Sequence, residues 1–143
     1  HPAFIVGSSS VIPFKSSTFD ALILADGISE WQLSDSDRTS MLAETHRVLR
    51  TGGVALFTDY MRPSDFHKLV AIIQNSPLTI SSVQYLNDRL WYQFGGLFKA
   101  VRNWPVISNA LASVSLAKSL RSVSSLLGKI GSRHILVVAE KKS

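Results

Sequence analysis

No cysteine occurs among the 143 residues. Disulfides and thiolate-ligated metal sites are therefore excluded, and a reducing, cytoplasmic setting is compatible with the composition. Long hydrophobic runs are also missing. None reaches the roughly 18 apolar residues that a transmembrane helix requires. Charge is sparse at 17%, but hydrophobic residues make up 45%, which points away from disorder and towards a packed core. Acid is absent from one long stretch, with no Asp or Glu between Trp91 and Arg133. Residues 1–90 hold seven basic and nine acidic side chains, a net of −2, whereas residues 91–143 hold eight basic and one acidic, a net of +7. Aromatic residues are absent after Trp104, which removes stacking platforms for single-stranded nucleic acid from that part.

What is present alternates between strand-like and helix-like stretches. Ala3–Gly7 is a short β-branched run with a glycine stop and reads as a strand. Ser8–Ser17 is polar, contains Pro13, and reads as a loop. Phe19–Ala25 is a continuous apolar run of strand length, as expected for a strand buried on both faces of a parallel sheet. Asp35–Arg50 reads as a helix with Ser34 or Asp35 as cap, acids in its first turn, arginines in its last, and Gly52-Gly53 as its stop. Val54–Tyr60, Leu78–Tyr85 and Ile135–Glu140 read as strands, and Pro63–Asn75 as a helix. Residues 86–134 are too long for a structureless connection and are expected to be helical. Gln93–Asn103 and Pro105–Ser113 are candidates, and Leu116, Leu120, Val123, Leu127 and Ile130 form one helical stripe. The pattern predicts an α/β fold with a mainly parallel sheet and a basic helical insertion before the last strand.

Three blocks carry a family resemblance. Gly7-Ser8-Ser9-Ser10-Val11-Ile12-Pro13-Phe14 and Phe19-Asp20-Ala21-Leu22-Ile23 are followed by Glu44-Thr45-His46-Arg47-Val48-Leu49-Arg50-Thr51-Gly52-Gly53. In order and spacing they resemble G-D-A-x-x-L-P-F, F-D-x-V-x and E-x-x-R-V-L-K-P-G-G of class I S-adenosylmethionine-dependent methyltransferases, of the type 11 kind. The resemblance covers residues 3–85 well, 135–140 loosely, and 86–134 not at all. It implies a Rossmann-like sheet in the strand order 3-2-1-4-5-7-6, with the runs of this chain serving as strands 3 to 7. The family's glycine-rich loop and the acid after its second strand have no counterpart in these residues. Residues 1–143 thus read as the C-terminal part of one methyltransferase domain, with 86–134 as a basic helical insertion. By themselves they are expected to bind cofactor weakly or not at all and to be inactive. Phe19–Ala25 is then expected to form an exposed apolar edge, to be covered by more of a longer protein or by self-association.

The resemblance implies S-adenosylmethionine as cofactor, with Ser8, Ser9, Ala25 and Asp26 beside it. Ser8 stands where the family usually carries an acid towards the adenine. Glu30 and Asp59 are the candidate proton acceptors, and Trp31, Tyr60, Trp91 and Tyr92 the candidate acceptor-binding residues. Each has a plainer reading as well: Asp26 as a turn cap, the aromatics as core. His46 and His67 lack partners at metal spacing, so no metal is expected. The implied function is methyl transfer to a small-molecule or lipid-like acceptor. The alternative is a noncatalytic methyltransferase-like domain that acts by binding or self-association. The basic stretch 91–133 reads as a solvated helical face, as a surface for an anionic ligand, or, through 116–130, as a membrane-surface contact. Nucleic acid is the weakest of the partner classes.

Overall fold

The computed structural model describes residues 4–28, 33–86, 88, 90 and 114–142. Within them a four-stranded sheet is built from β1 (Phe19–Ala25), β2 (Leu49–Tyr60), β3 (Thr79–Tyr85) and β4 (His134–Glu140). The helices are α1 (Asp35–Val48), α2 (Phe66–Gln74) and α3 (Val114–Leu126), with a 3-10 turn at Gly128–Gly131.

The strand order is β1-β2-β4-β3, the 4-5-7-6 half of the order that the resemblance implied. The sheet is mixed. β1 and β2 pair in parallel, while β4 runs antiparallel to both β2 and β3. The three strands other than β4 therefore end at one rim, and β4 begins there: Tyr60 of β2 is opposite His134 of β4, and Tyr85 of β3 is opposite Ile135. This rim gathers the loops that follow parallel strands, where ligands of open α/β sheets bind.

Local chemistry explains the elements. Ser34 is the N-cap of α1: its hydroxyl accepts from Asp37 N, while the Asp37 carboxylate accepts from Ser34 N, each at 3.1 Å. Two of the donors that a helix start leaves unpaired are thereby satisfied. Thr45 fits the buried stripe of α1 because its hydroxyl donates back to Met41 O at 2.8 Å. After Val48 the chain turns directly into β2. Gly52 takes a left-handed φ of 78°, and Gly53 brings β1 and β2 close together. A Cβ on Gly53 would lie 2.9 Å from Arg50 O and 3.1 Å from Asp20 O.

The core lies on one face of the sheet. Ala55 and Phe57 of β2 and Ile135, Val137 and Ala139 of β4 pack with Met41 and Leu42 of α1 and with Phe66, Leu69 and Ile73 of α2. The period of two sends Val54, Leu56, Thr58, Leu136 and Val138 to the other face, where they are half-buried. β1 is the edge strand, and Ile23 is 73% exposed. The apolar edge expected from the sequence is therefore present among the described residues.

Three expectations need correction. Residues 4–7 form no strand: they are exposed, and the only pairing nearby is an isolated bridge between Ser8 and Val11. A strand exists only through ladder hydrogen bonds with a neighbour, and this run has none among the described residues. The helix stop expected at Gly52-Gly53 is also misplaced, for α1 ends at Val48 and both glycines lie within β2. The described part of the 116–130 stripe is largely in solvent. Val123, Leu127 and Ile130 are all at least half exposed, and Leu126 is 85% exposed. Helix Gln93–Asn103 and helix Pro105–Ser113 lie outside the described residues. No helix among the described residues is long and apolar enough to cross a membrane.

Candidate active site

The first two sequence blocks are joined physically by the third. Arg47 donates from Nη1 to Phe14 O at 2.8 Å and from Nη2 to Ile12 O at 2.9 Å. Glu44, one turn earlier on α1, accepts from Ile12 N at 2.8 Å. The acid and the arginine of the E-x-x-R block thus hold the Ile12–Phe14 backbone, and so fix the loop that carries Ser8 and Ser9. Phe14 packs edge-on against Phe19 at the start of β1, with ring centres 4.8 Å apart. The hydrogen bond from Arg47, followed by that from Ile12 N, lowers the Glu44 carboxyl from its usual 4.5 to about 2, against a smaller upward push from burial. Ser8 and Ser9 are exposed, and the Ser8 hydroxyl accepts from Ser10 N at 3.2 Å.

At the rim, Asp26 ends β1 with a left-handed φ of 50°, a conformation that aspartate tolerates better than most residues. Its N–H is held by Thr58 O at 2.8 Å, and its side chain is 62% exposed. Ala25, just before it, is exposed. Tyr60 ends β2 on the outer face, 47% exposed. Asp59 is placed differently from the sequence expectation of a side chain pointing into the mouth. Strand alternation sends it to the helix-covered face with Phe57, where it is 3% exposed. It lies beneath the rim. Glu30, Trp31, Trp91 and Tyr92 lie outside the described residues.

Sequence reasoning missed the histidine at the centre of this rim. His134 begins β4, and its Nδ1 is hydrogen-bonded to Asp88 Oδ2. Asp88 Oδ1 accepts from Arg133 N at 2.7 Å and from His134 N at 3.2 Å. Burial alone would raise the Asp88 carboxyl, but these backbone and ring donors outweigh it and hold the group below the usual carboxylate value. The other ring nitrogen of His134 is 4.0 Å from Asp26 Oδ1, and Tyr60 packs edge-on against the ring at 5.1 Å. Asp88 comes from the chain after β3, His134 from the start of β4, Asp26 from the end of β1 and Tyr60 from the end of β2. The available signal was strand direction: a histidine opening an antiparallel strand lies beside the ends of its parallel neighbours. Among the described residues no group of three or more His, Cys, Asp or Glu is arranged to hold a metal ion.

A cavity of about 470 Å³ opens beside Tyr60 on the helix side, lined among others by Ile28, Arg38, Met61, Asp65 and Leu69. Its size suits a small molecule. Arg38 is anchored there by donating from Nε to Ile28 O at 2.9 Å and by pairing with Asp35 at 3.0 Å.

Comparison with known proteins agrees with this fold. Residues 1–57 match the family model described as a methyltransferase domain. The fold resembles a candidate sarcosine dimethylglycine methyltransferase from Galdieria sulphuraria (TM-score 0.56, 16% identity, 95% of this chain and 58% of that one). It also resembles phosphoethanolamine N-methyltransferase 2 from Haemonchus contortus, solved with S-adenosyl-L-methionine (TM-score 0.56, 16% identity, 94% and 36%). The [4+2]-cyclase SpnF shares it as well (TM-score 0.56, 14% identity, 97% and 55%). Residues 1–57 thus match a methyltransferase-domain family, and the described residues share the Rossmann-like fold of solved S-adenosylmethionine-dependent methyltransferases. No curated protein matches the sequence. The chain spans little more than half the length of these structural relatives, or less.

Proposed function

We propose that the protein transfers a methyl group from S-adenosylmethionine to a small-molecule acceptor at the β1–β2–β4 rim. The observation that carries this reading is the union of the family match over residues 1–57 with a rim that presents Asp26, Tyr60 and a cavity of small-molecule size. The described residues fit one side of the cofactor. The exposed carboxylate of Asp26 suits the ammonium group of its methionine part, and the loop at Ser8 and Ser9, fixed by Glu44 and Arg47, offers hydroxyls towards its adenosine. When bound, S-adenosylmethionine supplies a methyl group already activated by its sulfonium, so the protein's work is alignment and exclusion of water. Tyr60 forms one wall of the acceptor site, and Trp31, Trp91 and Tyr92 remain the other candidate acceptor-binding residues. Glu30 is a candidate proton acceptor. Asp59, the other proton-acceptor candidate, is buried beneath the rim and does not reach the acceptor.

The noncatalytic alternative finds no support in the comparisons, although SpnF shows that this fold also hosts other chemistry. The test is calorimetric titration of the full-length protein with S-adenosylhomocysteine. Saturable binding at micromolar concentration or tighter is expected. No binding at about 1 mM would remove the methyl-transfer reading.

A further inference from the structure

α3 and the 3-10 turn after it present two unlike faces to solvent. At 100° per residue, Val123, Leu126 and Leu127 fall within an arc of about 100°. All three are at least half exposed, and Leu126 is 85% exposed. Lys118, Arg121 and Ser125 fall on the other exposed side. Ser124, on one border between the two, turns to the protein: it is buried, and its hydroxyl donates to Gly131 O at 2.6 Å. Gly131 leaves no room for a Cβ against Ser124 O. The helix end and the turn are thus packed together, and the two faces are held in place. Ser119, which falls within the apolar arc, donates its hydroxyl back to Ser115 O at 3.0 Å. That arc can therefore leave water without stranding a donor.

We propose that this arm is a peripheral docking surface for an anionic lipid bilayer. The apolar arc enters the headgroup boundary, and the basic side chains meet lipid phosphates. Charge complementarity selects this occupant. No Asp or Glu lies between Trp91 and Arg133, and Lys118 and Arg121 are exposed beside the apolar arc. A second copy of the chain would bring the same cations face to face, which opposes pairing. A nucleic acid would meet the cations but leave Val123, Leu126 and Leu127 in water. A bilayer with anionic headgroups takes up both: apolar area and attraction to anionic lipid add for a helix that lies in the interface. The long stems of Lys118 and Arg121 let their charged ends reach the phosphates while the leucines go deeper. The contact is at the surface, since no helix among the described residues is long and apolar enough to cross a membrane. The proposal does not rest on the methyl-transfer reading.

The test is flotation of the protein with vesicles, which separates lipid-bound protein from self-associated protein. Binding to phosphatidylcholine vesicles containing about one third phosphatidylglycerol is expected to exceed binding to pure phosphatidylcholine about tenfold, and to fall at about 0.5 M NaCl. Val123→Ser combined with Leu126→Ser should cut binding about tenfold. Lys118→Glu combined with Arg121→Glu should remove the preference for the anionic vesicle. All four side chains are exposed, so Tm should stay within about 2 °C in both variants. Because the chain has no cysteine, Leu126→Cys and Ser125→Cys each accept a single polarity-sensitive dye. On anionic vesicles the dye at 126 should brighten and shift to the blue, and the dye at 125 should change much less. Equal binding to the two kinds of vesicle overturns the proposal, as does a dye at 126 that stays dim on bound protein. A dye at 126 that brightens with protein concentration in the absence of lipid makes this face an interface between copies, and overturns it too.

Discussion

Arg47 donates to both oxygens of Glu44, at 2.6 and 2.8 Å, and the same two side chains hold the backbone of Ile12 and Phe14, more than 30 residues earlier in the chain. An i,i+3 ion pair on a helix surface is ordinarily worth little. This one matters because its members are also the ligands of a loop that has no ladder of its own. Arg47→Ala should leave α1 intact and free the loop. The expected result is faster cleavage between residues 8 and 17 in limited proteolysis, with a small fall in Tm.

The same pair predicts an acid response. Glu44 has its carboxyl lowered from 4.5 to about 2, by Arg47 first and Ile12 N second. A depressed carboxylate adds stability that is present above its unfolded value and is lost as pH falls through its folded value. The contribution should therefore be complete above about pH 4.5, shrink below that and vanish near 2. Glu44→Gln should flatten the fall of Tm between pH 5 and about 2, measured by calorimetry against wild type. An unchanged slope would show that the pair is not formed in solution.

Gly53 sits in β2 with its α-carbon close against the backbone of β1. An added Cβ would meet three backbone oxygens, of Arg50, Asp20 and Phe19, at 2.9 to 3.2 Å. None of these is the movable end of a side chain. Gly53→Ala should cost about 1–3 kcal/mol, as overpacking does, read as a lower denaturant midpoint. Phe57→Ala, which empties the centre of the core, should cost about 3–5 kcal/mol.

Ile23 on the edge strand is 73% exposed, and an apolar edge invites pairing with another chain. Self-association through β1 is the expected behaviour of these residues when nothing else covers them. Sedimentation velocity should show a concentration-dependent larger species that Ile23→Lys suppresses without lowering Tm. A wild type that stays monomeric at about 100 μM would refute it.

Asp26 gives a prediction on the cofactor side. Asp26→Asn keeps a residue that tolerates the left-handed backbone but removes the charge. It should weaken S-adenosylhomocysteine binding about tenfold in calorimetry while Tm stays within about 1 °C, the small effect usual for an exposed side chain. Equal affinity in the variant would mean that this carboxylate does not meet the methionine part.

By itself the sequence determined the local elements and their order. Phe19–Ala25 and the capped helix at Asp35 could be read directly, because run length and caps are properties of neighbouring residues. It also carried the family resemblance, since motif spacing survives in one dimension. The tertiary structure alone decided what those motifs do to each other. No local pattern says that Glu44 and Arg47 hold the Ile12–Phe14 loop, because those contacts span more than 30 residues. The failed strand at the start of the chain has the same cause, for a strand is completed by a neighbour and not by its own composition. The site turns on the direction of one strand. Because β4 runs antiparallel between β2 and β3, its first residue, and not its last, reaches the rim. That places His134 beside Asp26, Asp88 and Tyr60, residues far apart in the chain that only the completed sheet brings within reach.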